Sequence, residues 1–340
     1  MAFNIALNFE DGVTRFIACG PDDTVADASF RAGINIPMDC QNGACGTCKC
    51  HAESGDFDEG VYIEDALTEQ EFAQGYALAC QIRPRSDLVL SIAASSTACR
   101  IKSQTIPATF ASVERLSETS IAFTLETPTA LSFLPGQYAN LTVPGTDQIR
   151  SYSFSSTAGS KMLSFLVRDI PQGVMSSFLR DRAAPGMAIS LAGPSGSFYL
   201  RDIKRPVLFL AGGTGLAPFL SMLGKIAGTG CDQPIHLIYG VTNDEDLVAV
   251  EQLEAFAARM PGFTFACCVA AETSDYARKG YVTAHIEPAH LNGGDVDIYL
   301  CGPPPMVEAV RGWLGQHGVT PASFHFEKFA PSGVPLKKAA

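Results

Sequence analysis

Cys40-Gln41-Asn42-Gly43-Ala44-Cys45-Gly46-Thr47-Cys48 sets three cysteines at C-x4-C-x2-C, and a fourth, Cys80, stands beyond a further 31 residues. This is the plant-type 2Fe-2S spacing. Three thiolates can wrap a compact cluster only from a loop that curls tightly, and Gly43, Ala44, Gly46 and Thr47 are small or turn-forming. Amide N–H groups freed by the curl can donate to the sulfurs and help set the potential. Tetrahedral zinc is the alternative for four cysteines, although zinc modules favour paired C-x2-C arms. A thioredoxin-like redox pair at Cys45 and Cys48 would need a βαβ setting that the flanking residues lack. Cys50, Cys19 and Cys99 read as free thiols.

Outward from this loop, the 340 residues exceed a single small domain, and 46% apolar with 17% charged residues describes a globular chain, neither disordered nor fibrous. The formal charge of −11 argues against nucleic acid or an anionic membrane as principal partner. Most of it lies in residues 1–100, which hold fifteen acids against six bases. The start lacks a basic, apolar leader pattern and no apolar run reaches about 18 residues, so a soluble cytoplasmic protein is expected. Eleven cysteines, an odd number, then suggest metal ligation plus buried thiols rather than a disulfide framework. The polar stretch Ser95–Pro107 reads as a linker. The expected division is 1–99, a linker at 100–106, 107–203 and 204–340.

In the second segment, alternating runs such as Ile121–Glu126 and Tyr138–Val143, separated by Pro-Gly turns, read as an antiparallel sheet or barrel. Arg150-Ser151-Tyr152-Ser153 offers a cation, a ring and two hydroxyls along one strand, which suits a flavin, though an exposed strand would also explain it. Gly173-Val174-Met175-Ser176 opens a helix whose free N–H groups and positive dipole end suit a pyrophosphate; simple serine capping is the alternative. Between them runs Phe165-Leu166-Val167-Arg168, whose Arg168 is a solvated charge or a cofactor contact.

From Arg205 the pattern becomes buried strands alternating with helices, a parallel α/β sheet. Strand 206–210 enters Ala211-Gly212-Gly213-Thr214-Gly215-Leu216-Ala217-Pro218, a glycine turn where backbone can approach a dinucleotide closely. Pro218 departs from the G-x-G-x-x-G pattern but is tolerated in a first helical turn. After the next strand, Asp244, Glu245 and Asp246 would accept ribose hydroxyls and repel a 2′-phosphate, favouring NADH over NADPH. The alternative is that they merely fill a helix N-terminal turn. Cys301-Gly302-Pro303-Pro304 lies at the carboxyl end of a third strand, where open α/β sheets bind ligands. Cys231, Cys267 and Cys268 read as core, and the six histidines show no metal-ligand spacing.

With these signatures in one order, the chain resembles the reductase component of aromatic-ring dioxygenases, most closely the benzoate, toluate or anthranilate 1,2-dioxygenase reductases. The resemblance rests on the cysteine set, Arg150–Ser153, Leu210–Gly215, the run Leu300-Cys301-Gly302-Pro303-Pro304-Pro305-Met306 and the ending Phe326-Glu327-Lys328-Phe329. It implies a β-grasp 2Fe-2S ferredoxin, a six-stranded antiparallel FAD barrel and a parallel-sheet NAD domain of the ferredoxin–NADP reductase type. It assigns Cys40, Cys45, Cys48 and Cys80 to the cluster. Arg150, Ser151, Tyr152, Ser153, Val167, Arg168 and Gly173 to Ser176 go to FAD, and Gly213, Thr214, Gly215, Asp244, Cys301, Gly302, Pro303 and Met306 to NADH. Phe329 matches the C-terminal aromatic that covers the flavin, and Tyr152, Ser153, Cys301 and Phe329 are expected to act in catalysis. Thr242 stands where NADPH-using relatives carry a base.

The implied activity is transfer of electrons from NADH through FAD and the 2Fe-2S cluster to a Rieske-type oxygenase, which docks on the acidic ferredoxin domain of a monomer. Two alternatives stand beside it: a reductase serving a diiron monooxygenase, and a non-catalytic redox sensor.

Overall fold

The computed structural model describes residues 2–38, 43, 46–64, 66–100 and 104–329, so Cys40 and Cys45 lie outside the described residues. The described chain forms two compact units, the first up to Gln104 together with Gly193–Ser197, and the second made of Thr105–Ala192 and residues 198–329.

The first unit contains β1 (Phe3–Phe9), β2 (Thr14–Cys19), α1 (Val25–Arg31), β3 (Lys49–Ser54), β4 (Phe57–Asp58), α2 (Glu69–Ala73), β5 (Tyr76–Leu78), β6 (Arg83–Pro84), β7 (Leu88–Ile92) and α3 (Ser96–Arg100). Five strands form one sheet in the order β2-β1-β7-β3-β5, with β1 parallel to β7 and antiparallel to β2. This is the β-grasp arrangement. In β1 the period of two sends Ile5, Leu7 and Phe9 inward, onto Val25, Ala26 and Ala28 of α1. The polar stretch expected to be a linker begins instead as α3. Asp11 accepts from Ser96 N and Oγ at 2.9 and 2.8 Å, and Ala98 and Cys99 are buried. Apolar periodicity could not reveal a five-residue helix held mainly by a side chain 85 positions away.

The second unit opens with β8 (Gln104–Arg115), β9 (Ser120–Leu131), β10 (Tyr138–Thr142), β11 (Ile149–Ser153), β12 (Ser160–Arg168), α4 (Val174–Asp181) and β13 (Ala188–Ser195). They form a six-stranded sheet in the order β11-β10-β13-β8-β9-β12, with antiparallel β8–β9, β9–β12 and β10–β11 ladders. Its two end strands meet at one bridge, Phe154 to Phe165, rather than along a continuous ladder. Phe110, Phe123, Phe154, Phe165 and Phe178 fill its core.

Next come β14 (Val207–Gly212), α5 (Ala217–Thr229), β15 (Ile235–Val241), α6 (Val250–Arg259), β16 (Phe263–Val269), α7 (Pro288–Leu291), β17 (Asp297–Gly302), α8 (Pro304–Gln316) and β18 (Ser323–Lys328). All five strands are parallel, in the order β16-β15-β14-β17-β18. Strand order reverses between β14 and β17, the switch point at which such sheets bind ligands. Leu208, Leu210, Ile298 and Leu300 enter one core layer and Phe209, Ala211, Tyr299 and Cys301 the other. Helices on both faces explain why these strands read as continuous apolar runs. Pro218 sits in the first turn of α5, as its missing N–H allows.

Two half-buried histidines of this sheet stay neutral. Burial, aided by His290 and Arg278, lowers His236 to about 4, and burial beside Arg201 lowers His325 to about 3. Unfolded, each would titrate near 6.5, so the unfolded chain binds more protons below that pH. Their contribution is fully present above about pH 6.5 and is lost as pH falls through about 4. The expected result is a melting temperature of the second unit that declines over this window, and less steeply in His325→Phe. A calorimetric profile flat from about pH 7 to 4.5 would contradict it.

Candidate active site

Cys48 and Cys80, the two sequence-expected cluster ligands among the described residues, are buried, at 2% and 6% exposure. Ala79 N–H donates to the Cys48 carbonyl at 3.0 Å and Gln81 Nε2 to Cys80 Sγ at 3.5 Å. Gly43 and Gly46 are left-handed, with φ of +78° and +74°. A Cβ would lie 2.3 Å from Val61 O at Gly43 and 2.8 Å from Ala66 O at Gly46, so the curl requires glycine at both. Lys49 Nζ pairs with Glu71 at 2.8 Å, and Glu71 completes the capping box of α2 with Thr68. Two buried thiols, a backbone set by two glycines and the Gln81 side-chain amide donating to the Cys80 sulfur fit a 2Fe-2S cluster. The Cys50 thiol instead donates to Ala77 O at 3.5 Å, and burial, with Cys80 adding to it, pushes it up to about 12.

On β11, Arg150 and Tyr152 alternate with Ser151 and Ser153. Arg150 donates to Ile149 O and Gln148 Oε1, both at 2.8 Å, and Ser151 Oγ donates to Asn140 Oδ1 across the ladder at 2.6 Å. Tyr152 meets Phe123 edge-on at 6.3 Å, and burial pushes its phenol upward, so it remains a donor. Val167 and Met175 are core side chains, Val174 packs against that core, and Arg168 is exposed.

Gly173 is the N-cap of α4 with no side-chain cap, which leaves its first N–H groups facing outward. A Cβ there would sit 2.5 Å from Ser176 Oγ. That hydroxyl turns back to donate to Ile170 O at 2.9 Å and accept Ile170 N–H at 3.2 Å. Ser176 therefore shapes the turn, and an anion would meet backbone N–H groups. The uncapped turn fits a pyrophosphate.

At the switch point the ends of β14 and β17 are pressed together. A Cβ on Gly215 would lie 2.3 Å from Cys301 O, and Met306 Sδ lies 2.4 and 2.7 Å from the positions of Cβ atoms on Gly212 and Gly302. Gly213, at φ +54°, and Thr214 form the 3-10 turn leading into α5, while Pro303 is the exposed N-cap of α8. Gly212, Gly215 and Gly302 leave backbone without side chains at these strand ends, which fits a dinucleotide. At the end of β15, Asp244 and Glu245 are exposed, and Asp244 accepts from buried Ser274 Oγ at 2.7 Å. Asp246 instead accepts from Asn243 N and Nδ2.

The register of β17 with β18 sets Cys301 opposite Glu327. Glu327 Oε2 accepts from Ser153 Oγ at 3.2 Å and lies 3.9 Å from Cys301 Sγ. One carboxylate thus joins a hydroxyl of the antiparallel sheet to a thiol of the parallel sheet. Burial, and then Glu327, push Cys301 well above the usual thiol range, so it stays protonated. Phe329 N–H donates to Gly302 O at 2.9 Å, and its ring packs on the core beside the turn. Glu327 was not singled out from the sequence. The Phe324/Phe326 alternation marks a strand with His325 and Glu327 on its other face, but pairing with Cys301 is a matter of register.

The models of three families match in the same order: 2Fe-2S iron-sulfur cluster binding domain over 8–85, oxidoreductase FAD-binding domain over 107–199 and oxidoreductase NAD-binding domain over 209–312. The toluate 1,2-dioxygenase electron transfer component of Pseudomonas putida is 56% identical over 98% of this chain and 100% of its own length. The chain belongs to the family of 1,2-dioxygenase electron transfer components. Another member, the 2-halobenzoate 1,2-dioxygenase electron transfer component of Burkholderia cepacia, is 50% identical over 98% of this chain and 99% of that one. A crystal structure of an Amycolatopsis cytochrome P450 reductase aligns over 96% of this chain and 99% of that one, with 32% identity and TM-score 0.74. Family membership makes the protein an oxidoreductase with 2Fe-2S, FAD and NAD domains and an oxygenase as partner. Among the described residues no helix is long and apolar enough to cross a membrane.

Proposed function

We propose that this electron transfer component takes electrons from NADH and delivers them to the Rieske-type oxygenase component of an aromatic-ring 1,2-dioxygenase acting on a benzoate-type acid, as a cytoplasmic monomer. The proposed modules are 1–99, 107–203 and 204–340. FAD, when bound, exchanges two electrons with a nicotinamide and single electrons with the 2Fe-2S cluster held by Cys40, Cys45, Cys48 and Cys80.

The observation that carries this reading is the Ser153–Glu327–Cys301 junction at the switch point. Gly212, Gly215 and Gly302 keep the crevice free of side-chain bulk, and Gly213 and Thr214 present backbone to a pyrophosphate. Pro303 and Met306 hold the facing turn. Ser153 Oγ holds its proton toward Glu327, and Cys301 offers a neutral, polarisable surface to a nicotinamide. Phe329, tied to Gly302 O, would cover the flavin in the absence of a nicotinamide. Arg150, Tyr152 and Ser153 line the ring and phosphate side, and the first N–H groups of α4, from Gly173 to Ser176, meet the pyrophosphate. Asp244 accepts ribose hydroxyls and, with Glu245, disfavours a 2′-phosphate.

The acidic first hundred residues supply the docking face, and a basic surface of the oxygenase meets it. Reconstitution with a benzoate- or toluate-type oxygenase tests the reading. NADH should support product formation, NADPH no more than about a tenth of that rate, and coupling should fall as salt shortens the Debye length from about 10 Å at 0.1 M to about 3 Å at 1 M. Efficient NADPH turnover or salt-independent coupling would refute the cofactor and docking assignments respectively.

A further inference from the structure

The turn assigned to the FAD pyrophosphate and the loop assigned to the NADH ribose lie in different modules, yet one threonine is bonded to both. Thr119, between β8 and β9, donates its hydroxyl to Asp246 Oδ1. Its carbonyl accepts the Asp169 N–H at 2.7 Å. Asp169 begins the turn that leads into α4, and its carboxylate, only 5% exposed, pairs with Arg180 Nη1 of that helix at 2.6 Å. On the other side, Asp246 Oδ2 accepts from Asn243 N at 3.1 Å and Asn243 Nδ2 at 3.2 Å. This closes the loop that presents Asp244 and Glu245.

The hydroxyl protons can be placed. Thr119 has one, and a carboxylate only accepts, so that proton lies toward Asp246. Ser117 Oγ, 3.4 Å from Thr119 Oγ1, is then the donor in that contact, and it accepts the Thr119 N–H at 3.2 Å. Asp246, which the sequence groups with the ribose acids, is thereby occupied on both oxygens and acts through the loop it braces.

We infer that Thr119 is a positioning residue that couples the FAD turn to the ribose loop, so that FAD and the nicotinamide nucleotide each tighten binding of the other. The inference rests on the assignment of Asp244 to the ribose. Coupling of this kind is reciprocal, which provides a readout apart from turnover.

The test uses the full, FAD- and cluster-loaded protein as native, Thr119→Val, Thr119→Ser and Asp244→Asn forms. Valine keeps the shape of the half-buried side chain and removes the donor, and serine restores it. Measured are NAD+ affinity by calorimetry, FAD retained on dilution with and without saturating NAD+ by flavin fluorescence, and KM and kcat for NADH with ferricyanide. Saturating NAD+ should tighten FAD about fivefold in the native and serine forms and less than about twofold in the valine form. The valine form should also show an NAD+ affinity about tenfold weaker and a raised KM, with kcat within about twofold, as for loss of a hydrogen bond to a charged group. Native NAD+ affinity and native linkage in Thr119→Val overturn the coupling. If Asp244→Asn then weakens NAD+, the ribose assignment stands; if it has no effect, both fall. A lower kcat at unchanged KM also overturns the coupling, since the residue would then act on the chemistry.

Discussion

Serine in place of Cys80 should cut NADH-driven cytochrome c reduction at least about 100-fold while ferricyanide reduction falls no more than about threefold, because only the first route needs a thiolate-ligated cluster. Cys80 follows β5 in a buried corner, with Gln81 Nε2 donating to its sulfur. An alcohol there stays protonated and is a poor ligand for iron. Cys50, the nearest in sequence to the loop, donates its thiol to Ala77 O on the neighbouring β5 and is held protonated by burial. The FAD and NAD modules lie beyond residue 104 and keep their own cores. Loss of visible iron–sulfur absorbance and of bound iron, with flavin content unchanged, should accompany the effect. Equal loss of both activities would place the cluster before the flavin or show that the modules fold together.

Alanine at Gly215 should raise KM for NADH at least about tenfold and destabilise the NAD module by about 1–3 kcal/mol, the range for forced overpacking. The added Cβ would meet the Cys301 carbonyl oxygen at 2.3 Å and its carbon at 2.7 Å. Both are backbone atoms at the end of a strand paired on two sides, so no rotamer relieves the contact, and the turns of β14 and β17 must part. Parting them displaces Cys301 from Glu327 and opens the crevice. Gly213→Ala is the control. Its Cβ would meet nothing within 4 Å, so it bears only the left-handed backbone strain of φ +54°, about 1–2 kcal/mol. Similar KM values for the two variants would show that close approach at Gly215 is not what shapes the site. Steady-state kinetics and the flavin-to-protein ratio of each preparation suffice to decide.

The parts of the site that are local in the chain were legible in the sequence. Cluster spacing, the glycine turn after β14 and the uncapped start of α4 are each built from a few consecutive residues, and small residues leave an unambiguous trace where backbone must approach a ligand. The β16 and β18 edge strands were harder to see. The residues of β18 are half-buried throughout, and its Phe324/Phe326 alternation is shorter than the buried runs of β14 and β15. Asp244, Glu245 and Asp246 looked equivalent as a triplet of acids. The fold separates them, leaving the first two exposed and committing Asp246 to Asn243 and Thr119.

By itself, then, the sequence determined which cofactors this protein is built for and the order of its three modules, because ligand spacing, glycine turns and strand periodicity are properties of neighbouring residues. Only the tertiary structure decided that Glu327 stands between Ser153 and Cys301, and that Thr119 reaches both cofactor turns. Those pairs are 174, 26 and up to 127 residues apart. What brings them together is strand register and the packing of two sheets, which depend on the whole fold and leave no periodic mark on the residues concerned.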